Sequence, residues 1–178
     1  MNMSNNYSQK YQKKRRKCVF FDRDGVLIKD YGYVYKENQI KFLKGTIKAL
    51  KFLKKENYKI IVITNQSGVG RGYFSEAAVN KFHKILDKKI CKKKIINKYF
   101  FCPYHPTKGR GKYKKNSNDR KPNNGMIKKA INEFKIDVNK SFMIGDKKTD
   151  YLAAKKSKIK FYYKRGCLMK LIKKITKH

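Results

Sequence analysis

Long apolar runs are absent from this 178-residue sequence. After a basic, polar start (Met1 to Lys17), the first hydrophobic stretch is only Val19-Phe20-Phe21. That is too short for a signal-peptide core or a membrane span, so a soluble, cytoplasmic protein with no membrane partner is expected. The four cysteines, Cys18, Cys91, Cys102 and Cys167, are scattered without a C-x-x-C pair. They offer no disulfide framework and read as reduced thiols. No proline- or glycine-rich linker divides the chain and no repeat recurs at a fixed period, which leaves one domain with enough length to bury a core. Acids are the scarcest group of all. Twelve Asp and Glu face 48 Lys and Arg, for a formal net charge of +36.

Such a charge suits a polyanion partner held by counterion release. The basic residues are mostly lysine, however, with seven arginines, and Asn, Ile, Tyr and Phe are abundant too. These are the residues that A/T-rich codons encode, so composition accounts for the charge and nucleic acid is expected only as a non-specific electrostatic ligand. Arginine is favoured for bidentate phosphate contacts. Three of the seven arginines, Arg23, Arg71 and Arg120, fall in the loops where chemistry is expected.

Residues 1–16 lack apolar periodicity and read as a disordered basic tail ahead of a domain spanning 17–178. Within that domain, short β-branched or aromatic runs at 17–21, 59–63, 98–102, 141–144 and 159–163 predict strands. Amphipathic stretches at 45–56, 75–92, 124–134 and 150–156 predict helices, and Leu168, Leu171, Ile172 and Ile175 predict a last one. Strand and helix in alternation imply an α/β fold: a central parallel sheet with helices on both faces. The one long irregular stretch, Pro103 to Asn123, follows a strand end, where ligands bind in open α/β sheets.

The strongest chemical signal is Asp22-Arg23-Asp24-Gly25 directly after the apolar strand. Two carboxylates so close raise each other's pKa unless a cation shares their site, and magnesium takes hard oxygen ligands of this kind. A turn that uses Asp and Gly for backbone reasons is the plainer alternative. Other strand ends carry matching features. Thr64-Asn65-Gln66-Ser67-Gly68-Val69-Gly70-Arg71-Gly72 has the composition of a phosphate cradle, Arg120-Lys121-Pro122 precedes a helix, and Gly145-Asp146-Lys147-Lys148-Thr149-Asp150 returns to acids. A parallel sheet gathers these ends onto one edge.

Together, Asp22-x-Asp24, Thr64, Lys121 and Gly145-Asp146-x-x-x-Asp150 resemble the four motifs of the haloacid dehalogenase superfamily. With Tyr31-Gly32-Tyr33-Val34 and Cys102-Pro103-Tyr104-His105-Pro106 added, the likeness narrows to its heptose bisphosphate phosphatases and their histidinol phosphatase relatives. The resemblance implies a Rossmannoid domain with a minimal cap made of loops, acting as a monomer. It also implies a magnesium-dependent phosphatase removing the 7-phosphate of D-glycero-D-manno-heptose 1,7-bisphosphate through an aspartyl-phosphate, a step toward nucleotide-activated heptose for lipopolysaccharide. On this reading Asp22 is the nucleophile and Asp24 the general acid and base. Magnesium is held by Asp22, the main-chain carbonyl of Asp24, and Asp146. Thr64, Asn65 and Lys121 face the phosphoryl group, Gln66 and Ser67 bind substrate, and Asp30, Tyr31, Gly32, Tyr33, Arg120 and Lys147 face the sugar phosphate.

Relatives of this kind also hold a structural zinc on the long loop. Here the matching positions are Cys102, Tyr104, Ser117 and Asp119, so three of four ligands are missing and zinc is not expected. Two other readings stay open. A polynucleotide 3'-phosphatase shares the Thr64-Asn65-Gln66 loop and fits the charge, but Arg23, Gly32-Tyr33-Val34 and Cys102-Pro103 favour the sugar branch. A basic nucleic-acid-binding protein without activity leaves the paired acids unexplained.

Overall fold

The computed structural model describes residues 15–177. Five strands, β1 (Cys18–Phe21), β2 (Lys59–Asn65), β3 (Lys98–Cys102), β4 (Phe142–Gly145) and β5 (Lys160–Tyr163), form one sheet in the order β3-β2-β1-β4-β5. Every pairing is parallel. The chain runs outward from β1 to β3, then crosses back to place β4 on the other side of β1. That reversal opens a crevice beyond the carboxyl ends of β1 and β4, the usual ligand site of a doubly wound sheet.

Alternation along the strands sorts the core into two layers. Val19, Phe21, Ile60, Val62 and Ile144 face α1 (Thr46–Lys55), α3 (Glu76–Ile90) and α6 (Leu168–Thr176). Phe20, Ile61, Ile63 and Met143 face α4 (Gly125–Phe134) and α5 (Lys148–Lys156). β1 is buried throughout, as a central strand covered on both faces must be. Leu168 and Ile172 of α6 are also fully buried, so the apolar stripe of the last helix is core. No described helix is long and apolar enough to cross a membrane.

All five expected strands are present, with ends shifted by one or two residues. The phosphate-cradle segment contains an unforeseen single helical turn, α2 (Ser67–Gly70). It forms where glycine permits close approach: a Cβ on Gly68 would lie 2.4 Å from the Phe74 ring, and one on Gly70 would lie 2.5 Å from the Pro103 carbonyl oxygen. The long segment after β3 is irregular apart from a 3-10 turn at Gly111–Tyr113. Of the expected tail, residues 1–14 lie outside the described part. Arg16 is tied to the loop after α4, its N–H donating to Lys135 O and its carbonyl accepting from Asp137 N.

Candidate active site

Asp22 follows β1 directly, its N–H donating to Ile144 O at 3.0 Å. Its side chain is buried, and Oδ1 accepts the Arg23 N–H at 2.8 Å and lies 2.8 Å from Lys121 Nζ. Both contacts go to Oδ1, which leaves Oδ2 outside them. Burial pushes the carboxyl up against the pull of Lys121, and Asp150 and Asp24 add to the rise, to about 7. An acid in that condition stands ready to exchange its proton for a metal ion.

Lys121 is the charge that holds the site together. Its ammonium is buried and meets Asp22 Oδ1, Asp150 Oδ1 at 2.6 Å and Ile63 O at 2.9 Å. Burial opposes that charge, yet the two carboxylates outweigh it and the pKa sits above the ordinary lysine value. The Asn65 side chain clasps the lysine's main chain, donating to Lys121 O at 3.0 Å and accepting from Lys121 N at 3.1 Å. Gln66 Nε2 donates both to Asp24 Oδ2 at 3.0 Å and to Thr64 Oγ1 at 2.9 Å. Asn65 and Gln66 therefore orient neighbouring polar groups.

Asp146 directly follows β4 beside this cluster. Its Oδ1 is buried with no hydrogen-bond partner, and burial raises its pKa. Oxygens of Asp22, Asp146 and Asp150 lie within 4.8 Å of one another, the single acidic, cysteine or histidine group of metal-binding size among the described residues. Asp150 is already committed: besides Lys121 it accepts the N–H groups of Asp146 and Lys147 at 3.2 and 3.0 Å. Asp22 and Asp146 thus remain as hard donors, and an orphaned carboxylate oxygen is what a magnesium ion would satisfy. Gly25 is required alongside, because its φ is +82° and a Cβ there would come within 2.3 Å of Asp146 Oδ2.

A pocket of about 460 Å3 opens beside these groups, lined by Asp22, Asp24, Thr64, Gln66, Lys121 and Thr149. Asp30, Gly32, Tyr33, Asn65, Ser67, Arg120 and Lys147 also line it. Asp30 and Lys147 pair at 3.0 Å, with the Gly32 N–H donating to Asp30. Tyr33 makes an edge-to-face contact with Tyr73, and the Arg71 guanidinium lies 5.7 Å above the Tyr33 ring. Tyr31 is outside the lining; its ring lies under Lys29 Nζ. A wider recess of about 940 Å3, lined mainly by Arg15, Arg16, Lys17, Lys55, Lys135 and Lys140, brings none of the expected site residues together.

At the positions where the resemblance would put zinc ligands, the Tyr104 ring lies tilted beside Tyr113, with centroids 6.0 Å apart, and Lys115 Nζ is 4.1 Å above it. Asp119 pairs with Lys129, and Arg120 Nη1 donates to Tyr104 O at 3.1 Å. Arg23, Thr149 and Asp150 stand within the strand-end motifs of the sequence but are given no role there; the structure places Thr149 in the pocket lining, Asp150 on Lys121 and Arg23 behind Asp24.

Residues 17–164 match a family model described as polynucleotide kinase 3 phosphatase. The chain is 43% identical over 146 residues to the D-glycero-beta-D-manno-heptose-1,7-bisphosphate 7-phosphatase of Pasteurella multocida, covering 82% of this chain and 79% of that protein. It is 40% identical over 143 residues to the D-glycero-alpha-D-manno-heptose-1,7-bisphosphate 7-phosphatase of Burkholderia mallei, covering 78% and 74%. Among solved structures, D,D-heptose 1.7-bisphosphate phosphatase from B. bronchiseptica, complexed with magnesium and phosphate, is similar with a TM-score of 0.75 and 25% identity, over 88% of this chain and 84% of that one.

Proposed function

Because this chain belongs to the heptose-1,7-bisphosphate 7-phosphatase family, haloacid dehalogenase-like phosphoric monoester hydrolases, we propose that it removes the 7-phosphate of D-glycero-D-manno-heptose 1,7-bisphosphate. The observation that carries the reading is one pocket lined by Asp22, Asp24 and Lys121, with Asp146, whose Oδ1 has no partner, in the same acidic group as Asp22.

Asp22 Oδ2 attacks phosphorus, forming an aspartyl-phosphate as the bond to the sugar oxygen breaks. Asp24 gives that oxygen its proton and then takes one from the water that releases phosphate. Lys121 sits 2.8 Å from Oδ1 of the attacking carboxylate and offsets charge as it redistributes in a loose transition state. Thr64 Oγ1 accepts from Gln66, which keeps its own O–H available to a phosphoryl oxygen. Ser67 and the one Asn65 Nδ2 hydrogen not given to Lys121 O complete the phosphate side, while Asp30, Gly32, Tyr33, Arg120 and Lys147 form the sugar side. Asp22, the Asp24 carbonyl and Asp146 would hold magnesium, which supplies charge neutralisation between carboxylates and phosphate. The long loop is held by its Tyr104, Tyr113 and Lys115 contacts, with no zinc.

A second reading, a polynucleotide 3'-phosphatase, is favoured by the description of the matching family model and by the net charge of +36. A phosphate-release panel with magnesium separates the readings. It compares heptose 1,7-bisphosphate, histidinol phosphate and a 3'-phosphorylated oligonucleotide. The heptose bisphosphate is expected to have the highest kcat/KM. Faster release from the oligonucleotide, with steep salt dependence, overturns that assignment.

A further inference from the structure

Arg23 lies inside the acid pair and has no exposed surface, yet it does not line the pocket and takes no part in the chemistry set out above. Its guanidinium is aimed at Asp24. Nε donates to Asp24 Oδ1 at 2.9 Å, and Nη2 donates to Asp24 Oδ2 at 2.9 Å. Nη2 also donates to Val34 O at 2.6 Å, and Nη1 lies 3.2 Å from His83 Nε2. The Phe82 ring backs the group at 4.6 Å. His83 in turn stacks on Tyr99 with ring centroids 4.2 Å apart, and Tyr99 donates its hydroxyl hydrogen to Asp87 at 2.7 Å.

Burying a guanidinium is costly unless its donors are met. A surface arginine would neutralise Asp24 without that penalty, so what burial adds here is fixed geometry. A forked pair holds both carboxylate oxygens in one plane, and Gln66 adds a third bond to Oδ2. We propose that Arg23 is the positioning residue for Asp24, anchored on α3 through His83 and tied by Val34 O to the Tyr31–Val34 segment. This rests on the reading of Asp24 as general acid. In the step concerned, the Asp22 oxygen forms a bond to phosphorus, the bond from phosphorus to the leaving oxygen breaks, and the proton passes to that oxygen from Asp24 Oδ1. Oδ1 accepts one bond from the fork and keeps a second lone pair for the proton, whereas Oδ2 accepts two. A donor held slightly out of reach slows that step even when substrate still binds.

Leaving-group dependence gives a readout that a merely structural role would not move. A sugar alkoxide needs the proton, whereas the phenolate of p-nitrophenyl phosphate departs without it. The ratio kcat/KM reports events through this departure. In Arg23→Gln, kcat/KM is expected to fall roughly 100-fold on the best sugar phosphate and to change little on p-nitrophenyl phosphate. Arg23→Lys, which keeps the charge and loses the fork, should stay close to Arg23→Gln; full recovery by lysine overturns the geometric role. His83→Phe keeps the stack on Tyr99 and removes the acceptor for Nη1. It should show the same selectivity at about 10-fold, and it decides the matter if Arg23→Gln does not fold. Equal losses on both substrates overturn the proposal. Asp24→Asn is the control: if it lacks the selectivity, the reading of Asp24 falls, whereas if it alone shows the selectivity, only the role of Arg23 falls.

Discussion

Replacing Asp150 by Asn isolates what the buried ion pair contributes. The side chain is fully buried, with Oδ1 2.6 Å from Lys121 Nζ and Oδ2 accepting two main-chain N–H groups. The amide can keep the main-chain bonds but must turn either an uncharged oxygen or an N–H toward the ammonium. Removing one partner of a buried pair costs about 3–5 kcal/mol. Lys121 keeps Asp22 and Ile63 O, which places the loss at the low end, about 3 kcal/mol. For a chain of this size that lowers Tm by about 6–12 °C. Thermal unfolding in the presence of a chelator measures it free of metal effects. A double-mutant cycle with Lys121→Met should show a coupling of about 1–3 kcal/mol, because methionine strands Asp22 and Asp150 together only when both remain acids. A Tm drop under about 2 °C, or strict additivity, would refute the reasoning.

Gly25→Ala should leave the protein folded but cut magnesium-dependent activity at least about 10-fold, because the new methyl displaces the Asp146 carboxylate; activity unchanged at saturating magnesium would show that Asp146 can shift freely. Burial, aided by Arg23, lowers the His83 pKa to about 3. Below its ordinary value near 6.5 the unfolded chain takes up a proton that the folded chain refuses, so this contribution is complete above that pH and is lost as pH falls, at up to about 1.4 kcal/mol per unit. His83→Phe should lose less stability than the parent between about pH 6.5 and 5, read from urea midpoints. Elemental analysis of purified protein should find no stoichiometric zinc, and a chelator should abolish activity without unfolding the Tyr104–Tyr113 loop.

Local pattern was enough for the five strands, the alternation that splits the core, and the strand ends where acids cluster. Asp22 and Asp24 stand out because paired acids after an apolar strand conflict with burial unless something compensates them. Asp150 was harder to assign. Its spacing places it near Asp146, but its commitment to Lys121 depends on a lysine from a loop that only the folded sheet brings across. Arg23 is a stronger case, since its burial follows from His83, sixty residues away on α3. The turn at Ser67–Gly70 was also hidden, because its glycines make room for Phe74 and Pro103 rather than only for a ligand. Asn65 and Gln66 read as ligand contacts from their types, while the structure gives their amides neighbours within the protein.

The identity of the nucleophile is tested most directly by trapping. A brief reaction of the Asp24→Asn variant with p-nitrophenyl phosphate and magnesium, whose leaving group departs without the Asp24 proton, acid-quenched and analysed by peptide mass spectrometry, should find one phosphoryl group on the peptide carrying Asp22 and none after Asp22→Asn. A phosphoryl group elsewhere, or undiminished phosphate release by Asp22→Asn, would contradict the account.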